Sequence, residues 1–390
     1  MSEWDPRSEE VLQDQIASYD AMRRRCPVAH DDYLQWSLFR HADVVRVLDD
    51  HETFSNAVSQ HVSVPNGMDP PEHTGFRQLI ERYFVPEAIA AFEPECRRIS
   101  SALVDRIPAG APVEVISSFA QDFALQVQCA FMGWPESLHE PLRVWMRRNQ
   151  EATLAADRAA MKDVALDFDQ YIQELLETRR SAGDAAPDDA TTRLLREHVN
   201  GRSVTEEEIV SIIRNWTVGE LGTITASVGI LIHYLATNPE VQRLVREQRH
   251  WIAAANDEIL RIHAPLISNR RKTTKPVEIG GRKIEAGERI TLLWASANRD
   301  EAVVGDPDEF RLDRDPESNL LYGRGIHVCP GAPLARLELR VLMEELLART
   351  AWIEREREKP CVRAVFPGSG FSTLFVSVRR DSAARSEDAC

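Results

Sequence analysis

The stretch LLYGRGIHVCPGAPLARLELRVLMEELL, starting at Leu320, sets a single thiol, Cys329, where a glycine-rich loop passes into an amphipathic helix. A thiol just ahead of a helix feels the positive end of the helix dipole and several backbone N–H groups without intrahelical partners, and both favour thiolate. Cys329 is therefore expected to ionise easily and to act as a nucleophile or a metal ligand. A nucleophile wants a general base and oxyanion donors close by. A ligand wants glycines that let a bulky group approach and amides that hydrogen-bond to its sulfur. Gly323, Gly325 and Gly331 favour the ligand. Two other pairs have the spacing for chemistry. Glu258 and Arg261, in DEILR, stand one helical turn apart and can pair. Glu220 and Thr223, in RNWTVGELGTITASVGI, are three residues apart and share about the same helix face.

Helical periodicity must position most of these groups. QDQIASYDAMRRR, DVVRVLDD, FRQLIERYF, CRRISSALVDRI and FAQDFALQVQCAFMG each place apolar residues at about i, i+3 and i+4. The segment from Thr205 opens with a capping-box pattern, Thr205 to Glu208, and runs to Asn238-Pro239. Between Trp216 and Ile232 its one charge is Glu220, which predicts a helix crossing the interior. VQRLVREQRHWIAAANDEILRIH predicts one further helix. The pattern then alternates, with turns at Gly280-Gly281 and Gly287, and FSTLFVSVRR predicts a last strand. SAGDAAPDDATT, from Ser181, reads as a mobile connection between two helices. Together these predict an α+β chain, mostly helical, with a long central helix and small β-sheets. One domain is expected over residues 1–380, with a flexible tail at 381–390.

Of the 390 residues, 43% are hydrophobic and 28% charged, the balance of a folded globular protein. A formal charge of -15 repels phosphate backbones, and no basic stretch with interleaved aromatics offsets it, so nucleic acid is not an expected partner. The polar start, MSEWDPRSEEVLQDQ, lacks the apolar core of a secretory signal, and no apolar run reaches the length of a membrane span. A cytoplasmic protein without a membrane partner is expected. Six cysteines without a CxxC pair argue against a zinc ribbon, a redox dithiol or a disulfide framework.

The Cys329 stretch resembles the haem-thiolate loop of the cytochrome P450 family, aromatic-Gly-x-Gly-x-His-x-Cys-x-Gly followed by Leu-Ala. Here the pattern is filled by Tyr322, Gly323, Gly325, His327, Cys329, Gly331, Leu334 and Ala335. The resemblance implies the P450 fold and heme b (iron protoporphyrin IX), with Cys329 as axial ligand, its electron-rich sulfur aiding O–O cleavage. It implies that Gly323 and Gly331 flank the cofactor and that His327 meets a haem propionate. Glu258 and Arg261 match the family's ExxR pair, and DPDEFRLDR resembles the segment supplying its third partner, with Arg311 as the member expected here. DPPEHTGFR resembles the segment whose His and Arg bind a propionate, implying that role for His73 and Arg77, and Arg271 is similarly placed for the other. The resemblance runs roughly from Trp36 to Val378.

One element departs from the family. Its long helix carries Gly-x-acid-Thr, whereas this chain reads Val218-Gly219-Glu220-Leu221-Gly222-Thr223, so Thr223 matches the alcohol and Gly222 stands in place of the acid. Glu220 could feed a water chain ending at Thr223, burial raising its pKa, or it could face substrate or sit in a salt bridge. RNWTVGELGTITASVGI is also similar to a bacterial P450 branch often fused to an FMN and iron-sulfur reductase. The chain runs to DSAARSEDAC without an FMN or ferredoxin pattern, so electrons are expected from a separate ferredoxin or FMN/iron-sulfur reductase, with Arg336 and Arg340 as candidate docking cations. The implied activity is a monooxygenase that inserts one atom of O2 into a small hydrophobic or aromatic substrate, by hydroxylation or O-dealkylation. The implied pocket walls include Val64, Trp216, Gly219, Leu266, Ile267 and Phe371. A hydrogen peroxide-driven peroxygenase, a thiolate-haem sensor or carrier, and a cysteine hydrolase without haem are the other readings.

Overall fold

The capping box at Thr205 forms: the Thr205 side chain accepts from the Glu208 N–H, and the Glu208 carboxylate accepts from the Thr205 N–H at 2.8 Å. Three glutamates in the first turn oppose the helix dipole, and the helix runs from Glu206 to Thr237. From Ile224 to Ile232 every side is buried, so packing, not intrinsic propensity, holds a β-branched-rich segment helical. That burial by protein also explains why a helix long and apolar enough to cross a membrane is a core helix here. Asn238 ends it by turning its side-chain amide back to the Tyr234 carbonyl, and Pro239 starts the next helix at a position that needs no N–H.

This computed structural model describes residues 3–59 and 61–380, so the tail expected at 381–390 lies outside the described residues. The long helix packs chiefly against five others: Gln121–Met132, Ile252–His263, Arg158–Ala182, Pro239–Glu247 and Ala332–Arg349. The last of these begins three residues after Cys329 and lies along the Pro86–Asp105 helix. Arginines tie the two together: Arg97 pairs with Glu344 and Glu345, and Arg340 with Glu93 at 2.7 Å. Arg340 is thus committed to Glu93 and Glu344, and Arg336 to Asp257 at 2.9 Å while stacking over Tyr322. Both arginines are therefore paired within the chain, Arg336 with its side chain still half exposed.

The segment expected as one helix from 241 to 263 is broken. Pro239–Glu247 ends at Gln248, whose φ of -127° leaves the helical region, and Ile252–His263 starts anew after a 3-10 turn. Ser181 to Thr192 joins two helices as expected, Arg158–Ala182 and the short Ala190–Leu194. The alternating region builds a five-stranded sheet in the order Val28–Asp31, Gln35–Leu38, Arg289–Leu293, Ser268–Thr273, Phe54–Ser55. Only the Gln35–Leu38 and Arg289–Leu293 pair is parallel. Right after Leu293 the strand gives way to a short helix, Trp294–Ala297. Phe371–Arg379 is the centre of a second sheet, between Trp352–Arg355 and Cys361–Arg363, and also pairs with Val113–Glu114.

Two histidines in this frame give the fold an acid limit. His233 of the long helix lies against the Phe371 ring at 4.4 Å, and His263 ends the Ile252–His263 helix against Tyr234. Burial first, and the nearby Arg363 second, push His233 down to about 4 and His263 down to about 3. Each folded value lies below the ordinary one near ~6.5, so the unfolded chain binds more protons as pH falls. Stability is full above that ordinary value and is lost below it, by up to about 1.4 kcal/mol per pH unit for each histidine. The urea midpoint should drop between neutral and mildly acidic buffer, and His263→Phe should flatten the drop. An unchanged slope in that variant would contradict the assignment.

Candidate functional site

The long helix and the cysteine loop face each other across an interior cavity of about 680 Å³. Trp216, Gly219, Glu220, Thr223 and Ile224 form the helix side, and Tyr322, Gly323, His327, Cys329 and Gly331 the loop side. The loop is held by its own backbone: the Cys329 N–H donates to the Tyr322 carbonyl at 2.8 Å, and a 3-10 turn at Gly325–His327 precedes it. Gly325 has to be glycine. Its φ is +73°, and a Cβ would stand 2.5 Å from the Leu48 carbonyl oxygen. Gly331 is different: a Cβ there meets only the Phe84 ring at 3.8 Å and Cys329 Sγ at 3.9 Å, ordinary contacts. Packing within the chain does not demand glycine at 331, but a bulky group bound to the sulfur would.

Cys329 keeps an accessible face, and that face belongs to the cavity wall. Accessible area counts a cavity wall as surface, whereas the cost of ionising depends on how much surrounding protein has displaced water. Burial therefore pushes the thiol up, while the Gly331 and Ala332 N–H groups at the helix start pull it down. Burial wins, so the easy ionisation expected from the helix terminus does not hold for the bare thiol. A coordinated metal ion would deprotonate it outright.

At the cavity's edge the His73 and His327 rings lie 4.3 Å apart, and neither buried Nε2 has a hydrogen-bond partner. Arg271, only 6% exposed, offers one N–H to the Arg270 carbonyl, and burial lowers it to about 10. Arg77 is held against Glu81 at 2.7 Å and the Val328 carbonyl. Burial first, and then the charges of His73, Arg271 and Arg77, push His327 down to about 3. Four donors gathered with buried N–H capacity left over could hold the carboxylates of an anionic group, and with the sulfur and Gly331 they fit an iron porphyrin carrying two propionates.

Behind the loop is a buried charge lock. Arg261 is 1% exposed and meets both Glu258 oxygens, at 2.8 and 2.9 Å, while its other N–H groups reach the Asn298 and Pro307 carbonyls. Asn298 in turn accepts from the Leu320 N–H, the first residue of the cysteine loop. The third member is Arg314, whose Nε donates to Glu258 at 2.8 Å. Arg311 was the expected member, and this is a correction: its backbone N–H reaches Glu258 at 3.2 Å, but its side chain turns outward to Asp313. A loop residue can offer its amide inward only by sending its side chain the other way here.

Three pocket assignments also change. Val64 is fully buried in the core, where its N–H donates to Ser211, and Ser63 and Pro65 line the cavity in its place. Ile267 packs with the apolar cluster around Tyr19 and Phe39, while its neighbours Leu266 and Ser268 face the cavity. Phe371 lines a separate small cavity beside His233. Trp216, Gly219 and Leu266 lie on the main cavity wall. The sequence reading missed Arg314, Asn298 and Glu338. Only Glu338 left a signal, as an acid on the apolar stripe of Leu334, Leu337 and Val341.

Cys329 would hold the iron of such a porphyrin and His73, Arg77, Arg271 and His327 its carboxylates, and the long-helix wall would remain for a second molecule. The chain belongs to the cytochrome P450 family, whose profile, "Cytochrome P450", matches residues 145–373. It is 31% identical over 365 residues to the erythromycin C-12 hydroxylase of Saccharopolyspora erythraea, covering 88% of each chain. It is 29% identical over 355 residues to cytochrome P450 109 of Bacillus spizizenii, covering 89% of this chain and 87% of that one. Among solved structures, a mutant of P450 EryK from S. erythraea in complex with erythromycin B superposes with a TM-score of 0.86 at 28% identity, over 95% of this chain and 97% of the other. The fold is the P450 fold, and the protein is a heme b monooxygenase.

Proposed function

We propose that this P450 inserts one oxygen atom of O2 into a small, mainly hydrophobic or aromatic substrate, with electrons from a separate ferredoxin or FMN/iron-sulfur reductase. The observation that carries the substrate class is the apolar wall away from the cysteine loop: Trp216, Val218 and Ile224 of the long helix, with Leu266 and Phe366, line the cavity. Relatives named for hydroxylating erythromycin or holding erythromycin B support oxygenation of a small molecule. The likeness of RNWTVGELGTITASVGI to the reductase-fused branch supports an FMN/iron-sulfur donor. The five described cysteines are free thiols, which suits the cytoplasm.

In this reading Cys329 ligates the iron, His73, Arg77, Arg271 and His327 bind the propionates, and Gly323 and Gly331 leave room for the ring. When bound, the haem supplies dioxygen activation and the oxidising power. The chain's own groups position substrate and manage protons. Thr223 donates its hydroxyl hydrogen to the Gly219 carbonyl at 2.6 Å, so toward the cavity it presents only lone pairs and acts as an acceptor. The proton itself comes from elsewhere, and Glu220 on the same wall is the acid in reach.

Turnover of an alkoxyarene panel with reductase, ferredoxin and isotopically labelled dioxygen tests this. Label in the product, dependent on the reductase, is expected. Label supplied only from peroxide would replace the reading with a peroxygenase, and no product despite an intact reduced carbon monoxide band would replace it with a sensor or carrier.

A further inference from the structure

Glu338 sits inside the Ala332–Arg349 helix with no exposed surface, and neither of its carboxyl oxygens has a hydrogen-bond partner. Its carboxyl meets that of Glu220 where this helix contacts the long helix. Glu220 Oε1 is likewise buried and unpartnered, although Glu220 lies on the cavity wall. The other titratable groups that bear on the pair are Cys96 of the Pro86–Asp105 helix and Tyr322 and Cys329 of the cysteine loop. No arginine, lysine or histidine is among the groups that act on either carboxyl.

A carboxylate only accepts hydrogen bonds, so two ionised carboxylates in contact leave both sets of oxygens without donors and repel each other at low dielectric. One proton removes both problems: it lifts one charge and gives the pair an O–H donor. Burial raises both carboxyls, but the neighbour divides them: the charge of Glu220, and the hydrogen bond to it that such a proton makes, raise Glu338 further, well above the carboxylate range, while the same hydrogen bond from Glu338 pulls Glu220 partly back down. Gly222 fits this arrangement. A Cβ built there meets nothing within 4 Å, so crowding by the chain does not explain the missing acid, and the nearby carboxyl is the one with a partner across the helix contact.

We propose that Glu220 and Glu338 share one proton at neutral pH, and that Glu220 passes it into the cavity toward Thr223 while Glu338, the positioning residue, holds the proton between turnovers and hands it to Glu220. The O–H bond of Glu220 breaks, a bond from that hydrogen to an acceptor in the cavity forms, and the pair is left with two charges. Their repulsion draws a proton back from solvent water, which restores the starting state. Delivery rests on the oxygenase reading above; the shared proton does not.

The test is infrared spectroscopy of the holoenzyme with its glutamate carboxyls labelled with carbon-13, which separates them from aspartates. A protonated carboxyl C=O band, sensitive to the label and to heavy water, is expected at neutral pH. It should shift or vanish in Glu220→Gln and in Glu338→Gln and be absent from the double variant. No such band in the wild type, a measurement that needs no variant to fold, overturns the proposal, as does a band that neither substitution moves. In turnover, Glu338→Gln should lose coupling to product more steeply than wild type as pH rises, with Glu338→Asp restoring part of the profile. An identical profile overturns the delivery step. The reduced carbon monoxide spectrum, recorded on the same samples, reports separately on the haem.

Discussion

Arg261→Leu will yield little or no haem-loaded protein, with folding stability lower by about 3–5 kcal/mol, the cost of breaking a buried ion pair by removing one partner. Glu258 is 5% exposed and would keep only Arg314 and the Arg311 N–H. The Asn298 carbonyl would lose the Arg261 donor, and the Pro307 carbonyl would keep only Arg299 at 3.4 Å. A typical domain has about 5–15 kcal/mol in total, so this loss consumes much of it. Because Asn298 also anchors Leu320, the damage runs into the cysteine loop. Arg261→Lys should fail nearly as badly, since an ammonium cannot meet both Glu258 oxygens and two carbonyls in one plane. Arg311→Leu is the contrast: its guanidinium is an exposed partner of Asp313, so stability should stay within about 0.5 kcal/mol of wild type. Urea unfolding with carbon monoxide-band intensity per mole of protein measures all three. Equal losses at Arg261 and Arg311 would mean that the lock is closed by a different arginine from the one described.

The contrast between the two arginines shows what the sequence does and does not carry. Local signals were legible wherever the physics is local. The Thr205–Glu208 box, the apolar run through Ile232 and the Asn238-Pro239 stop define the long helix, and hydrogen bonding within a few residues decides each of them. Facing is harder. RLDRDPES holds two arginines three residues apart in irregular backbone, where no periodicity says which one turns inward. The same holds at Val64 and Ile267, each of which is core while its immediate neighbours face the cavity. In extended chain one residue's slip exchanges the two faces. Cys329 shows a third limit: helix-terminus amides are visible in sequence, but the burial that outweighs them is built by distant segments. The Glu220–Glu338 contact combines both difficulties. Each glutamate is visible as an acid on an apolar helix face, yet the meeting of the two depends on how helices far apart in the chain cross.

Cys329→Ser separates chemistry from folding where Arg261→Leu joins them. The substitution exchanges sulfur for oxygen at a side chain whose accessible face lies on the cavity wall, so the cofactor-free protein should unfold within about 1 kcal/mol of wild type. His73, Arg271 and His327, the groups proposed for the propionates, are untouched and still offer their buried donors. What is lost is the soft, electron-donating sulfur. The reduced carbon monoxide band should leave the position of a thiolate-ligated haem, and oxygen insertion should fall by more than about 100-fold, beyond what loss of an outer-shell partner typically costs a metal site. Cys96→Ala is the companion measurement, because Cys96 is the other cysteine whose charge bears on the Glu220–Glu338 pair, and burial pushes its thiol up to about 12. A thiol so costly to ionise, inside the Pro86–Asp105 helix, should be dispensable for the band. A wild-type band in Cys329→Ser, or its loss in Cys96→Ala with the fold intact, would move the ligand to another sulfur. The expected pair of results ties the spectrum, the oxygen chemistry and the glycine-lined loop to one atom, Sγ of Cys329.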